Sequence, residues 1–235
     1  MKISGSVALV TGANRGIGRE FARHLLERGA TKVYATARRP ELVDVPGVET
    51  LRLDITDPAS VAAAAAAASD VTLLVNNAGI ATGQNLLTGD LAKIHLEMDT
   101  HFYGTLAMVR AFAPILAANG GGAIVNVLSA LSWFSYDGTN AYAAAKAAEW
   151  SLTNSIRLEL AAQGTLVTGV HLGAADTDIS AGYTGAMIDA AEVPRAALSG
   201  VEAGAREVVV DDWSAHVKAS LAGDPKAFYS ATPGN

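Results

Sequence analysis

Two residues in the run "NAYAAAKAAE" could move a proton together. Tyr142 and Lys146 are spaced i, i+4, which sets both on one face of a helix. A phenol has a reference pKa of about 10, too high to exchange protons freely near neutrality. A neighbouring ammonium stabilises the phenolate and lowers that value, each unit being worth about 1.4 kcal/mol. The same ten residues read as well as an amphipathic helix with a boundary tyrosine and a solvated lysine. The elements around the pair must decide.

Short apolar runs alternate with helical patterns along the chain, the signature of parallel strands joined by crossover helices. Strands are expected at 6–10, 32–37, 48–53, 71–75, 123–128 and 166–172. Helices are expected at 16–28, 91–118 and 139–162. The alanine run 62–68 follows "DPAS" and reads as a helix capped near Asp57, with Pro58 in its first turn. Near the end, "AEVPRAALSGVEAGAREVVVDDWSAHVKASL" reads as a helix, a short strand and a final helix with Asp211 or Asp212 as N-cap. No Pro-, Ser- or charge-rich linker divides the chain and no repeat is visible, so 1–235 reads as one domain.

Composition narrows the chemistry. Half of the 235 residues are apolar and 17% are charged, which argues against disorder. A net charge of -6 without a basic run disfavours nucleic acid as a partner. There are no cysteines, which excludes disulfides, thiolate metal sites and thiol nucleophiles. The five histidines are read without an i, i+4 glutamate partner, and no metal site is expected. "MKISGSVALVTGANRG" lacks the apolar core of a signal peptide, and no segment approaches the roughly 18 apolar residues of a membrane span. A soluble, cytoplasmic protein with a small-molecule substrate is the expectation.

A glycine turn supplies the second chemical signal. In "VALVTGANRGIGREFARHLLERG", Gly12, Gly16 and Gly18 follow a strand and open a helix. Such a turn lets the backbone approach a pyrophosphate, which then sits on the unpaired N–H groups of the helix. An acid at the end of the second strand would bind the ribose of NAD, whereas arginine accommodates the 2′-phosphate of NADP. Here the strand ends "TARRP", with Arg38 and Arg39 and no carboxylate, and Arg15 adds a cation in the turn. A guanidinium fork matches a phosphate better than a diol, so NADP(H) is favoured over NAD(H).

Taken together, "TGANRGIG" at 11–18, "LDITD" at 53–57, "NNAG" at 76–79, Ser129, and Tyr142 with Lys146 resemble the short-chain dehydrogenase/reductase family. They occur in that family's order, with Ser129 thirteen residues before Tyr142. The resemblance covers roughly 5–180. It implies a doubly wound Rossmann-type α/β fold, a mainly parallel sheet in a three-layer sandwich. It also implies NADP(H)-dependent interconversion of a ketone or aldehyde and a secondary alcohol. By that resemblance Tyr142 is the general acid/base, Lys146 tunes it and holds ribose hydroxyls, and Ser129 donates to the substrate oxygen. Gly12, Asn14, Arg15, Gly16, Ile17 and Gly18 would bind the cofactor with Arg38. Asp54 and Ile55 would hold the adenine, Asn76, Ala78 and Gly79 would border the ribose and stabilise the central sheet, and Thr177 would contact the carboxamide. NAD(H)-linked alcohol oxidation and a catalytically silent NADP(H) sensor stay open as alternatives.

Three departures stand out. His101 occupies the family's usual asparagine position, and a proton-relay role there competes with that of a satisfied core histidine. Leu172-Gly173 replaces the common Pro-Gly, which restores an N–H and frees φ in that loop. The C-terminal part lacks the glycine-rich ending of many tetrameric members, so a homodimer stays open and the tetramer is not implied. Ala130, Leu131, Tyr136, Leu172 and Tyr183 are the expected substrate-pocket residues, with a lid at about 179–200. Phe134 is expected to pack the core.

Overall fold

In the computed structural model, residues 1–231 are described here. Seven strands form one sheet in the order β3-β2-β1-β4-β5-β6-β7, and every neighbouring pair is parallel. The strands are β1 (Val7–Thr11), β2 (Lys32–Ala37), β3 (Glu49–Arg52), β4 (Leu73–Asn76), β5 (Ala123–Val127), β6 (Leu166–His171) and β7 (Glu207–Val209). The helices between them are α1 (Gly16–Glu27), α2 (Pro58–Ala67), α3 (Leu91–Met98), α4 (Thr105–Ala118), α5 (Asn140–Glu159) and α6 (Glu192–Glu202). Two more, α7 (Asp212–Ser220) and α8 (Pro225–Ala231), follow β7. The expected sheet is therefore wholly parallel, and α8 is an element that the sequence did not announce.

The three layers follow from strand alternation. Ala8 and Val10 of β1, Leu73 and Val75 of β4, and Val125 of β5 point to the face covered by Phe21 and Leu25 of α1 and Val193 and Leu198 of α6. Leu9, Leu74 and Ile124 point to the opposite face, against Met108 and Phe112 of α4 and Leu152 and Ile156 of α5. Buried on both sides, these strands read as continuous apolar runs rather than alternating ones. Among the described residues no helix is long and apolar enough to cross a membrane.

Two local features shape the site. The expected helix 91–118 is interrupted, because Asp99–Gly104 winds as a π-helix between α3 and α4. A Cβ on Gly104 would meet Ile55 Cδ1 at 2.8 Å, so this turn is seated tightly against the end of β3. Among the caps, Asp57 opens α2 and accepts from the Ala59 N–H at 2.9 Å. Asp211, not Asp212, caps α7.

Candidate active site

The strand order reverses between β1 and β4, and ligands of open α/β sheets bind beyond the carboxyl ends of strands at such a switch point. A cleft of about 1780 Å³ opens there, bordered by Thr11, Asn77, Val127 and Leu172 at or just past those ends. At one end lies the glycine turn. A Cβ on Gly12 would come within 2.9 Å of Ala78 Cα, and one on Gly18 within 2.2 Å of the Gly12 carbonyl oxygen. Gly12 also takes φ +68°. The N-cap of α1, Arg15, makes no side-chain cap, so the N–H groups of its first turn are open to an anion. Asn14, Gly16 and Ile17 line the same wall. This is a cradle that fits a pyrophosphate.

Past β2, Arg38 and Arg39 are exposed and line the cleft, and neither forms an ion pair among the described residues. Arg15 differs: its guanidinium is paired with Asp178, across the cleft mouth. Asp54 and Ile55 line the wall below them. Desolvation pushes the Asp54 carboxyl up, but hydrogen bonds from the Thr56 N–H (3.0 Å) and hydroxyl (2.7 Å), with Arg38 and Arg52 nearby, hold it below its ordinary range.

Within "NNAG" the structure keeps the sheet-stabilising role expected of Asn76 and corrects its place at the ribose. Asn76 is buried off the cleft, where its Nδ2 donates to Asn126 Oδ1 at 2.8 Å. Asn126 donates in turn to Thr153 of α5 at 2.9 Å, so Asn76 braces the sheet against the helix that carries Tyr142. Asn77 lines the cleft instead, its Nδ2 donating to the Thr11 carbonyl at 2.9 Å. Ala78 and Gly79 line it as expected.

At the other end, Ser129, Tyr142 and Lys146 share the cleft wall. Ser129 caps the short turn after β5, its Oγ accepting from the Leu131 N–H at 3.1 Å. Lys146 is no solvated lysine, being 5% exposed. Its Nζ donates to the Val127 carbonyl at 2.8 Å and to Glu149 Oε2 at 2.7 Å, and lies 5.8 Å from the centre of the Tyr142 ring. Desolvation works against its charge, but the Glu149 carboxylate, with help from the Tyr142 phenol and Glu97, keeps its pKa above the ordinary lysine value.

Lys146 acts on the phenol in the direction its spacing implies, but it does not act alone. Desolvation raises the Tyr142 pKa, Lys146 lowers it, and Glu149 raises it again; the Ser129 hydroxyl lowers it and Glu97 adds a smaller rise. The net direction is upward, while the Lys146 ammonium and the Ser129 hydroxyl pull it down.

His101, on the π-turn, is 1% exposed and meets the Tyr142 ring edge-on at 5.2 Å. Its Nε2 lies 2.8 Å from the Ile80 carbonyl and 3.3 Å from Glu97 Oε2. The expectation that no histidine has an i, i+4 glutamate is thus corrected, for His101 with Glu97 and also for His24 with Glu20 at 3.9 Å. Gly79 makes room for this ring: a Cβ there would lie 2.8 Å from His101 Cε1. No cluster of three potential metal ligands occurs among the described residues.

Ala130, Leu131, Tyr136, Leu172 and Tyr183 all line the remaining wall, and Thr177 crosses over the glycine turn. Phe134 is buried yet also borders the cleft, backed by Trp213 of α7 and Phe228 of α8. The loop after β6 is tethered rather than loose, because Asp211 Oδ2 accepts from the Gly173 N–H at 2.7 Å. The segment expected as a lid divides: 179–188 covers the cleft, whereas α6 buries Val193, Ala197 and Leu198 in the core.

Sequence reasoning missed Glu149, Glu97 and Asn77, and read Asp211 only as a possible cap and not as the tether of the Gly173 loop. Glu149 and Glu97 left usable signals, the i+3 spacing of Glu149 from Lys146 and the i, i+4 spacing of Glu97 to His101.

Comparison with known proteins gives this geometry a lineage. The family model for short chain dehydrogenase matches residues 6–186. An NADPH-dependent 1-acyldihydroxyacetone phosphate reductase of Schizosaccharomyces pombe is 35% identical over 192 residues, which is 78% of this chain and 64% of that protein's length. A 3-oxoacyl-[acyl-carrier-protein] reductase of Vibrio cholerae is 35% identical over 190 residues, covering 77% of this chain and 78% of its own. A crystal structure of a short chain dehydrogenase from Burkholderia cenocepacia in complex with NADP superposes with a TM-score of 0.94 at 40% identity, over 99% of this chain and 100% of that one. With a match over most of its length and a glycine turn facing the Ser129, Tyr142 and Lys146 wall across one cleft, the chain belongs to the short-chain dehydrogenase family.

Proposed function

We propose that this protein is an NADP(H)-dependent carbonyl reductase that interconverts a ketone or aldehyde with its alcohol. The observation that carries the reading is the placement of Ser129, Tyr142 and the buried Lys146 on one wall of the cleft, Lys146 Nζ 5.8 Å from the Tyr142 ring, with an anion cradle and two unpaired arginines in the same cleft. The printed names of the yeast relative and the Burkholderia neighbour, which mention NADPH and NADP, support the cofactor.

The chain's own residues divide the work. Gly12, Asn14, Gly16, Ile17 and Gly18 bind the pyrophosphate on backbone N–H groups. Arg38 takes the 2′-phosphate, joined by Arg15 when its pairing with Asp178 opens. That pair is exposed on both sides, and such pairs contribute about 1 kcal/mol at most. Asp54 and Ile55 hold the adenine, Ala78 and Gly79 border the ribose, Lys146 holds its hydroxyls, and Thr177 meets the carboxamide. When bound, the nicotinamide supplies or accepts the hydride. Ser129 donates a hydrogen bond to the substrate oxygen as negative charge gathers on it. Tyr142 gives its phenol proton to that oxygen, and takes one back in the reverse direction. His101, whose Nδ1 stands 3.8 Å from Glu149 Oε2, extends the proton path inward from Lys146 through that carboxylate. Ala130, Leu131, Tyr136, Leu172 and Tyr183 shape a largely apolar substrate pocket. The protein works in the cytoplasm.

The test is turnover of prochiral ketones with NADPH and with NADH, followed at the reduced-nicotinamide absorbance. NADPH-linked turnover is expected, with Tyr142→Phe slower by about 10²–10⁴-fold. Arg38→Asp should shift preference towards NADH. Tight NADPH binding with no turnover across a broad panel would point instead to a sensor. An unchanged pH–rate profile in His101→Ala would remove the relay role.

A further inference from the structure

We propose that Glu149 is a positioning residue for proton transfer: its carboxylate neutralises the Lys146 ammonium and so keeps Tyr142 in its proton-bearing form. This rests on the reading of Tyr142 as the acid/base of a carbonyl reductase.

The geometry is built for one charge to be answered by another. Glu149 lies one helical turn beyond Lys146, and both are buried, at 2% and 5% exposure. Glu149 Oε2 accepts from Lys146 Nζ at 2.7 Å, and Oε1 accepts from the Thr105 hydroxyl of α4 at 3.0 Å. Its backbone carbonyl accepts from Thr153 at 2.7 Å, which fixes the turn of α5 that bears it. An ammonium has three donors. The Val127 carbonyl and Glu149 take two, so one is left for a ligand.

Every charged or titratable group around this point is accounted for. On α5 itself Glu149 faces Lys146 and, through it, Tyr142. From the π-turn His101 Nδ1 stands 3.8 Å from Oε2. Behind it, Glu97 of α3 is held by the Thr82 N–H at 2.6 Å. β5 presents the Val127 carbonyl, α4 the Thr105 hydroxyl, and β6 the buried His171, which lies within reach of the Lys146 charge and contacts the Ser129 carbonyl at 3.2 Å.

Without Glu149, the nearest anion able to answer the ammonium would be the Tyr142 phenolate. With Glu149 in place the ammonium is already paired, and a new negative charge on the phenol would face two carboxylates. Carbonyl reduction begins with a proton donor and alcohol oxidation with a proton acceptor. The arrangement holds the donor form over a wider pH range than Lys146 alone would allow.

Glu149→Gln keeps the size and an acceptor oxygen and removes the charge. Tyr142 phenolate is read without cofactor, as the difference between the ultraviolet titrations of E149Q and of E149Q with Tyr142→Phe. It should appear at least one pH unit lower than in the corresponding parent pair. The alkaline limb of ketone reduction and the acidic limb of alcohol oxidation should move down together, because the overall equilibrium is fixed. Unmoved titration and limbs, with activity merely lowered at all pH values, would overturn the proposal. The parent protein tests it even if E149Q does not fold: a Tyr142 phenolate appearing below the ordinary tyrosine range of about 10 would overturn it as well. A shifted titration in a parent that reduces no ketone keeps the Glu149 assignment and removes the reductase reading. Turnover with an unmoved titration does the opposite.

Discussion

Burying a lysine next to a glutamate stabilises little in itself, since desolvation of both charges offsets most of their attraction. Removing one partner is a different matter, because the other charge is left unanswered. Lys146→Met, which strands the Glu149 carboxylate, should therefore cost about 3–5 kcal/mol in chemical denaturation. Adding Glu149→Leu to it should recover most of that loss, although activity stays absent. His171 carries a separate prediction. It is fully buried, stacks on Trp133 at 3.9 Å, and its Nδ1 donates to the Ser129 carbonyl at 3.2 Å. Burial pulls its pKa down to about 4, against about 6.5 when unfolded. Between those values the unfolded chain binds the proton and the folded one does not, so stability falls as pH drops from about 6.5 to 4. The expected loss is up to roughly 3 kcal/mol, read from urea midpoints across that window. His171→Phe, which keeps the ring stack, should flatten the slope. This histidine also fixes the carbonyl of the residue that opens the Ser129 turn, so it touches the site from behind.

Among the elements, the stretch from Leu91 to Ala118 separates what a sequence can and cannot disclose. Its apolar periodicity reads as one helix, and helical it is, but the π-turn at Asp99–Gly104 re-aims the residues before it. Nothing in local propensity marks such a turn. It follows from tertiary seating, Gly104 against Ile55 and His101 against Gly79. Thus His101 and Glu97 arrive beside α5 from a part of the chain more than forty residues away. The glycine turn and the Tyr142–Lys146 spacing were legible because each is set within one turn or one helix, whereas Ser129, on a separate turn before α5, was placed by the family resemblance. Glu149 was visible as a spacing, but its burial was not. Cap chemistry is local again, and Asp211 illustrates its reach. One carboxylate caps α7 through the Ser214 N–H (2.8 Å) and tethers the Gly173 N–H (2.7 Å) of the loop after β6. Asp211→Ala should lower stability by about 1–2 kcal/mol, the worth of a lost cap. It should also raise the ketone KM, as the loop beside Leu172 regains freedom; an unchanged KM would mean the tether is purely structural.

For the molecule as a whole, the six strands expected from apolar runs correspond to β1–β6, shifted at most by two residues at their ends, and the short seventh follows as β7. Fully buried parallel strands announce themselves by apolar runs bounded with turns, which is why the sheet was readable. The substrate end was not, because its wall is assembled from distant pieces. Leu131, Trp133, Phe134 and Tyr136 after β5 pack with Val217 of α7 and Phe228 of α8, in a cluster separate from the two that sandwich the sheet. Helix α8 is only seven residues long, too short for periodicity to reveal it. The cofactor end rests on α1 and on the segments after β1, β2, β3 and β4, none of which belongs to this third cluster. The two ends should accordingly respond to mutation independently. Phe228→Ala, which removes a ring that meets Phe134 edge-on at 5.6 Å, should raise the ketone KM several-fold and leave the NADPH dissociation constant unchanged. Arg38→Asp should do the reverse, weakening NADPH while sparing the ketone KM at saturating cofactor. Binding by fluorescence titration and steady-state kinetics on both variants read the two effects separately. If Phe228→Ala weakened NADPH as strongly as it raised the KM, the two ends would have to be coupled through the sheet, and the division of the cleft into a locally encoded cofactor half and a tail-built substrate half would fail.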